Sequence, residues 1–339
     1  MRKGTRNGFC CFDFRQTVLP IGSVKWHIFV AMKALVYKST GSWYTVKTTE
    51  GEVLQARIKG KFKIDDITST NPIAVGDCVS LEIENEVERT AMIHEIAPRR
   101  NYINRQSPHR KHQQHIVAAN IDQSVLLATL RSPRTSQGFL DRFLIASEAY
   151  HIPSVIIFNK ADLYREKDMA LFAEMKAMYE KVGYGVYLLS LETGEGLAPL
   201  YPLFAGKISL LSGHSGVGKS TFINQLFPEL NLRTQEVSGW SGKGMHTTTF
   251  AEMFDLPDGG KIIDTPGVKE FGLVDLSRQE LSHYFPEMRS ILTSCQFNNC
   301  LHINEPGCAV KKAVAEHAIH PLRYISYCTI LESLEENKY

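Results

Sequence analysis

The sequence predicts three folded parts in series: an N-terminal β-barrel of the OB type, a central α/β domain, and a mainly α-helical tail. Three observations carry this. Short strand-like runs crowd residues 33–98, apolar strands alternate with helical spacing over 121–276, and 277–339 carries helical spacing around a cysteine–histidine cluster. A length of 339 residues accommodates two or three domains, and 43% hydrophobic with 22% charged residues suits globular parts with ordinary cores.

The barrel rests on five runs, ALVYK, WYTVKT, VLQARIKG, CVSLEI and TAMIHEIA, separated by turn signals such as Thr49-Glu50-Gly51 and Val75-Gly76-Asp77. Five short strands in so few residues predict an OB-fold, with an SH3-like barrel as the competitor. Residues 1–32 carry no clear period. They read as an extension, disordered or preceding an alternative start at Met32, and fit a basic amphipathic transit peptide poorly.

Residues 99–120 form a basic connector with Arg99, Arg100, Arg105, Arg110 and Lys111, and its first part, 99–115, contains no acid. It reads either as a solvated linker or as a phosphate-contacting segment beside the barrel. The net charge of +2 gives no further hint of a partner.

In the central part, SVLLATL, SVIIF, GVYLLS, KISLLSG, AEMFDL and KIIDTPG read as strands. Helical spacing marks FLDRFLIASEAY, Glu166 to Val182 and STFINQLF, and Asp258-Gly259-Gly260 predicts a tight hairpin. Such alternation implies a sheet covered by helices on both faces.

The chemistry begins at GHSGVGKS, residues 213–220, which fits G-x-x-x-x-G-K-[ST] between a predicted strand and a predicted helix. Backbone amides of Gly213, His214, Ser215, Gly216, Val217 and Gly218 can wrap phosphate oxygens at a helix N-terminus. Lys219 adds a point charge on the outer phosphates, the Ser220 hydroxyl can ligate Mg²⁺, and Thr221 extends the cradle.

NKAD, at 159–162, follows a strand and suits guanine. The Asp162 carboxylate can accept from both N1–H and N2–H₂, a donor pair that adenine lacks. Asn159 either bonds the other edge of the base or ties neighbouring loops together. The Lys160 stem can lie over the base plane, with Ala161 as spacer. Ser190 opens SLETGEG at the end of the next strand, where its backbone can meet guanine O6.

DTPG, at 264–267, closes a strand, so Asp264 can hold Mg²⁺ and the Gly267 amide can sense a γ-phosphate. The loop GKGMHTTT before it offers a threonine to Mg²⁺, with Thr248 preferred over Thr247 and Thr249. Val268 stands where many GTPases carry a water-orienting glutamine. His246 is the nearest substitute, since an imidazole can position or polarise water.

These motifs run in rotated order, base reader first and phosphate loop later. Chain ends lying close together allow the same sheet to be built either way. In the tail, Cys295, Cys300, His302 and Cys308 form C-x4-C-x-H-x5-C, a donor set that suits one tetrahedral structural Zn²⁺, with His317 and His320 as reserve ligands. Cys10, Cys11, Cys78 and Cys328 show no such grouping. No run approaches the roughly 18 apolar residues of a membrane span, and the absence of a signal-peptide pattern predicts a cytoplasmic protein with reduced thiols.

The rotated order, the HTTT loop and the C-x4-C-x-H-x5-C tail together resemble the circularly permuted, ribosome small-subunit-dependent GTPase family, over roughly residues 33–339. The resemblance implies an OB-fold, a permuted GTPase domain and a zinc-binding tail. It also implies late maturation of the small (30S) subunit, contact with 16S rRNA, GTP hydrolysis to GDP stimulated by the subunit, and a catalytic role for His246; Lys219, from its place in the phosphate loop, is the second catalytic candidate. The protein is expected to act as a monomer. Within the barrel, Trp43 and Tyr44 are the candidates for stacking on RNA bases.

Overall fold

The computed structural model describes residues 32–58, 72–106, 114–230, 251–264 and 276–336. The first five strands are β1 (Met32–Ser39), β2 (Tyr44–Thr48), β3 (Val53–Ile58), β4 (Cys78–Asn85) and β5 (Thr90–Ile96). Side chains alternate across a strand, so the apolar alternation fixes the register: Val36, Val46, Ala56, Leu81 and Ile93 share one enclosed core. The ladder runs β1–β2–β3–β5–β4 and β4 returns to β1, with β3 and β5 parallel. The sheet therefore closes, and the parallel β3–β5 pair gives it the OB arrangement.

The basic connector holds a two-stranded antiparallel sheet, β6 (Tyr102–Gln106) with β7 (Gln114–Ala119), which the linker reading did not anticipate. One of its arginines, Arg99, is committed internally, which corrects the phosphate-contact reading for that residue, whereas Arg100 stays half exposed. Arg99 forks onto the fully buried Asp77 carboxylate at 2.7 and 2.6 Å and donates to the Pro72 carbonyl. Arg100 pairs with Asp122 at 2.7 Å. A buried carboxylate needs a counter-charge, and Asp77 takes it from Arg99, 22 residues further along the chain. Arg110 and Lys111 lie outside the described residues.

The α/β domain contains β8 (Gln123–Ala128), α1 (Gln137–Ala149), β9 (Ser154–Phe158), α2 (Glu166–Val182), β10 (Gly185–Leu188), α3 (Tyr201–Phe204), β11 (Ile208–Ser212), α4 (Lys219–Leu226), β12 (Glu252–Asp255) and β13 (Lys261–Asp264). Its strand order is β10-β9-β8-β11-β13-β12, parallel except for β12, which turns into β13 through a hairpin with Gly259 at φ +75°. Strand β11, late in the chain, sits centrally between β8 and β13, so the rotated motif order still assembles one sheet. Helices α1 and α2 cover one face through Leu140, Phe143, Phe172 and Met175; α3 and α4 cover the other through Phe204, Phe222 and Leu226.

The barrel and this domain share one eleven-stranded sheet, because β1 pairs with β12 at Lys38 and Glu252. Polar contacts reinforce the joint: Asp255 accepts from Tyr37, Lys47 and Lys261 at 2.5, 2.6 and 3.0 Å.

The tail folds through short turns and α5 (Pro286–Arg289), α6 (Ala309–Ala315) and α7 (Pro321–Glu336), and its core takes in Ile145 from α1. Arg323 of α7 is fully buried. It pairs with the equally buried Asp141 of α1 and with Glu287 at 2.6 Å, and lies 4.6 Å from the Phe285 ring centroid. Among the described residues no helix is long and apolar enough to cross a membrane.

Candidate functional site

Strand β11 ends at Ser212 and α4 begins at Lys219, with the glycine-rich loop between them. Two of its glycines, Gly213 and Gly218, are required by space as well as angle. A Cβ on Gly213 would lie 2.3 Å from the Leu127 carbonyl, and one on Gly218, at φ +102°, would lie 2.7 Å from the Asn159 amide. Val217 is buried and anchors the loop in the core, while Ser215 and Gly216 stay exposed. The Lys219 ammonium donates to the Gly213 and His214 carbonyls at 2.7 and 3.0 Å. Burial lowers its pKa, against the opposing pull of Asp264. Ser220 and Thr221 follow in the first turn of α4.

The His214 ring packs on Phe139 of α1, centroids 3.8 Å apart. Burial and then the Lys219 charge lower its pKa, so the imidazole is neutral near pH 7.

The NKAD loop lies directly against the phosphate loop. The Asn159 side chain donates to the Val217 carbonyl at 2.8 Å and accepts from the Leu191 amide at 3.2 Å. Of the two uses the sequence allowed Asn159, its side chain therefore takes the second: it ties the three loops together. Lys160 adopts φ +66° and its ammonium donates to the Ser132 carbonyl. Ala161 donates to the Leu189 carbonyl at 3.1 Å, which turns the chain so that Asp162 faces out. One Asp162 carboxylate oxygen accepts from the Ser190 hydroxyl at 2.6 Å, orienting the carboxylate.

Asp264 ends β13, in register with Leu211 just before the phosphate loop. Its Oδ1 is buried with no hydrogen-bond partner among the described residues, and burial, with Glu252 adding to it and Lys219 opposing, raises its pKa to about 6. A carboxylate oxygen enclosed and unpaired beside a phosphate loop fits a Mg²⁺ ligand, since a divalent cation supplies the missing charge. His246, Thr247, Thr248, Thr249 and Gly267 lie outside the described residues.

In the tail, the ligand atoms of Cys295, Cys300, His302 and Cys308 all lie within 4.8 Å of one another, a group able to hold a metal ion. His302 turns Nδ1 to the sulfurs, 3.4 Å from Cys308 and 3.7 Å from Cys295. A tetrahedral zinc with Zn–S of about 2.3 Å and Zn–N of about 2.05 Å demands an N···S edge of about 3.55 Å. The cluster therefore fits that ion. The loop bearing His302 is held by Glu305, whose carboxylate accepts from the amides of Leu301, Ile303 and Asn304, and by Tyr324, which donates to the His302 carbonyl at 2.6 Å. His317 and His320 stand apart from the four; His320 lies 3.8 Å from Glu174.

On the barrel, Trp43 is 41% exposed with Arg57 over its ring, whereas Tyr44 is 1% exposed. Tyr44 alternates inward into the barrel core, so its ring is closed to a nucleobase and the expectation for it is corrected.

A phosphate loop at the central strand, the NKAD loop knitted to it, and that loop's place earlier in the chain define a P-loop nucleotide-binding domain of rotated connectivity. The sequence matches the RsgA GTPase family over residues 96–274 and the RsgA N-terminal domain over 33–91. It is 54% identical over 300 residues to the small ribosomal subunit biogenesis GTPase RsgA of Cytophaga hutchinsonii, covering 88% of this chain and 98% of that one. Its counterpart of the same name in Bacteroides fragilis is 49% identical over 308 residues, covering 91% and 99%. Among solved structures, YjeQ from Thermotoga maritima superposes with a TM-score of 0.72 at 31% identity, over 90% of this chain and 99% of that one. YloQ, a circularly permuted GTPase, gives 0.70 at 30% identity, over 93% and 99%. The chain belongs to the RsgA GTPase family.

Proposed function

We propose that this protein hydrolyses GTP to GDP and phosphate while bound to the small ribosomal subunit during late maturation, with turnover stimulated by the subunit. The observation that carries the reading is the Asn159 side chain bridging the base-reading loop to Val217 of the phosphate loop, with Asp162 oriented by Ser190 alongside. That arrangement holds a carboxylate at a fixed reach from a triphosphate cradle, where it selects guanine over adenine. An ATP-specific P-loop enzyme has no use for such a carboxylate.

In this reading the amides of residues 213–218, with Ser220 and Thr221, hold the phosphates. Lys219 stabilises charge on the transferring group as water attacks in line. Asn159, Lys160, Ala161 and Ser190 shape the base pocket around Asp162. Ser220, Asp264 and Thr248 would hold Mg²⁺, which when bound neutralises charge developing on the phosphates. Gly267 senses the γ-phosphate, and His246 positions the water. One structural Zn²⁺ occupies the Cys295, Cys300, His302 and Cys308 cluster. The barrel contacts 16S rRNA, with Trp43 as its exposed stacking surface. The protein acts as a cytoplasmic monomer.

The test is GTP hydrolysis with and without purified small subunits, together with competition of ATP against GTP for binding. Stimulation by the subunit and strong preference for GTP are expected. Equal binding of ATP, or no stimulation, would overturn the reading.

A further inference from the structure

A second loop, residues 129–135 between β8 and α1, lies across both nucleotide loops, and no sequence motif marks it. It closes on itself, since the Thr129 amide donates to the Thr135 hydroxyl at 3.1 Å and the Thr129 hydroxyl donates to the Pro133 carbonyl. It carries Arg131, paired with Asp168 at 2.9 Å, Ser132, whose carbonyl accepts from the Lys160 ammonium, and Pro133, 3.7 Å from where a Cβ on Gly216 would sit.

One side chain joins this strap to the backbone of the base-reading loop. The half-buried Tyr164 accepts from the Leu130 amide at 2.9 Å and donates to the Asn159 carbonyl at 2.8 Å. Its hydroxyl thereby sets the backbone of the residue whose side chain holds Val217 and Leu191. Asp162 follows three residues later, after the left-handed Lys160, so the height at which its carboxylate presents itself depends on where the Asn159 peptide is fixed.

We infer that Tyr164 is a positioning residue for purine selectivity: its hydroxyl fixes the Asn159 peptide so that the Asp162 carboxylate meets both guanine donors at once. This rests on the proposal that Asp162 reads guanine. Loss of the hydroxyl strands a carbonyl and an amide in a half-buried turn, and the loop relaxes to reach water. A bidentate contact tolerates such movement poorly, while a single hydrogen bond survives it.

The experiment compares binding of GDP and of IDP, whose hypoxanthine lacks the N2 amino group, to the full-length protein and to Tyr164→Phe. The wild type is expected to prefer GDP. In Tyr164→Phe, GDP affinity should fall about tenfold and IDP affinity about twofold, so that the GDP/IDP ratio shrinks about fivefold. Arg131→Ala serves as control, because it loosens the strap without touching the Asn159 peptide and should preserve the ratio. A Tyr164→Phe protein that loses thermal stability but keeps the wild-type ratio overturns the inference, as does an equal loss of ratio in Arg131→Ala. If the wild type itself binds GDP and IDP equally, the guanine-reading role of Asp162 fails instead.

Discussion

Replacing Arg323 with methionine should destabilise the joint between tail and α/β domain by about 3–5 kcal/mol, the range for removing one partner of a buried ion pair. The size follows from what is left behind. Asp141 is fully buried and pairs with the Arg323 guanidinium; without it, two neutral donors remain among the described residues, the Tyr179 hydroxyl at 2.9 Å and the Gln137 amide at 3.5 Å, and no cation. Glu287 retains some exposure and can turn its carboxylate to water, so most of the cost falls on Asp141. Methionine keeps much of the volume between Phe285 and Tyr179, which holds any cavity contribution small. Urea unfolding followed by circular dichroism, with hydrogen exchange read in α1 and α7, measures the effect. Adding Asp141→Asn should recover about half the loss, because the stranded charge is then gone. If Arg323→Met costs less than about 1 kcal/mol, the cluster is not the fastening its burial implies, and the reasoning from desolvation is wrong.

Further outcomes follow from the two sites. Asp264 has a raised folded-state pKa, so its contribution to stability is full below the ordinary value of 3.8 and is lost as pH rises through about 6. The nucleotide-free protein should therefore lose up to about 3 kcal/mol across that window, and Asp264→Asn should flatten the slope, as read by unfolding at stepped pH. Mg²⁺-dependent GTP binding should weaken as pH falls below about 6, because the proton competes with the cation at the same oxygen. Asn159→Ala leaves the Val217 carbonyl and the Leu191 amide unpaired, and should cost about a hundredfold in GDP affinity by fluorescence titration. Purified protein should carry close to one equivalent of zinc by mass spectrometry. Cys300→Ser should lower that content and increase hydrogen exchange across 295–308; native protection without metal would refute a structural ion.

Much of this was legible from residues alone because the signals are local. Alternation marks a strand, and a strand–glycine–helix run marks a phosphate loop, since backbone geometry dictates both. Glu166 and Val182 bound α2 as their spacing predicted. What escaped depends on partners distant in sequence. Tyr164 reads as an ordinary residue after NKAD until Leu130 closes over it. Arg323 looks like any helical surface arginine until Asp141, 182 positions earlier, is found beneath it. Arg99 and Arg100 suggested free charge because no acid stands near them in the connector; Asp77 and Asp122 lie outside that window. Tyr44 follows Trp43 directly, and a strand sends neighbours to opposite faces, so at most one of that pair could reach a base. The period was present in the sequence and should have decided between them.

The pairing of β1 with β12 bears on how the molecule can be divided. Cutting the barrel away would uncover the flank of β12, leaving backbone donors and acceptors of that short strand open along the border of the remaining sheet. It would also strip Asp255 of two of its three cationic or hydroxyl partners. A bare sheet border recruits other strands, so an excised nucleotide domain should self-associate at concentrations where the intact chain stays dispersed.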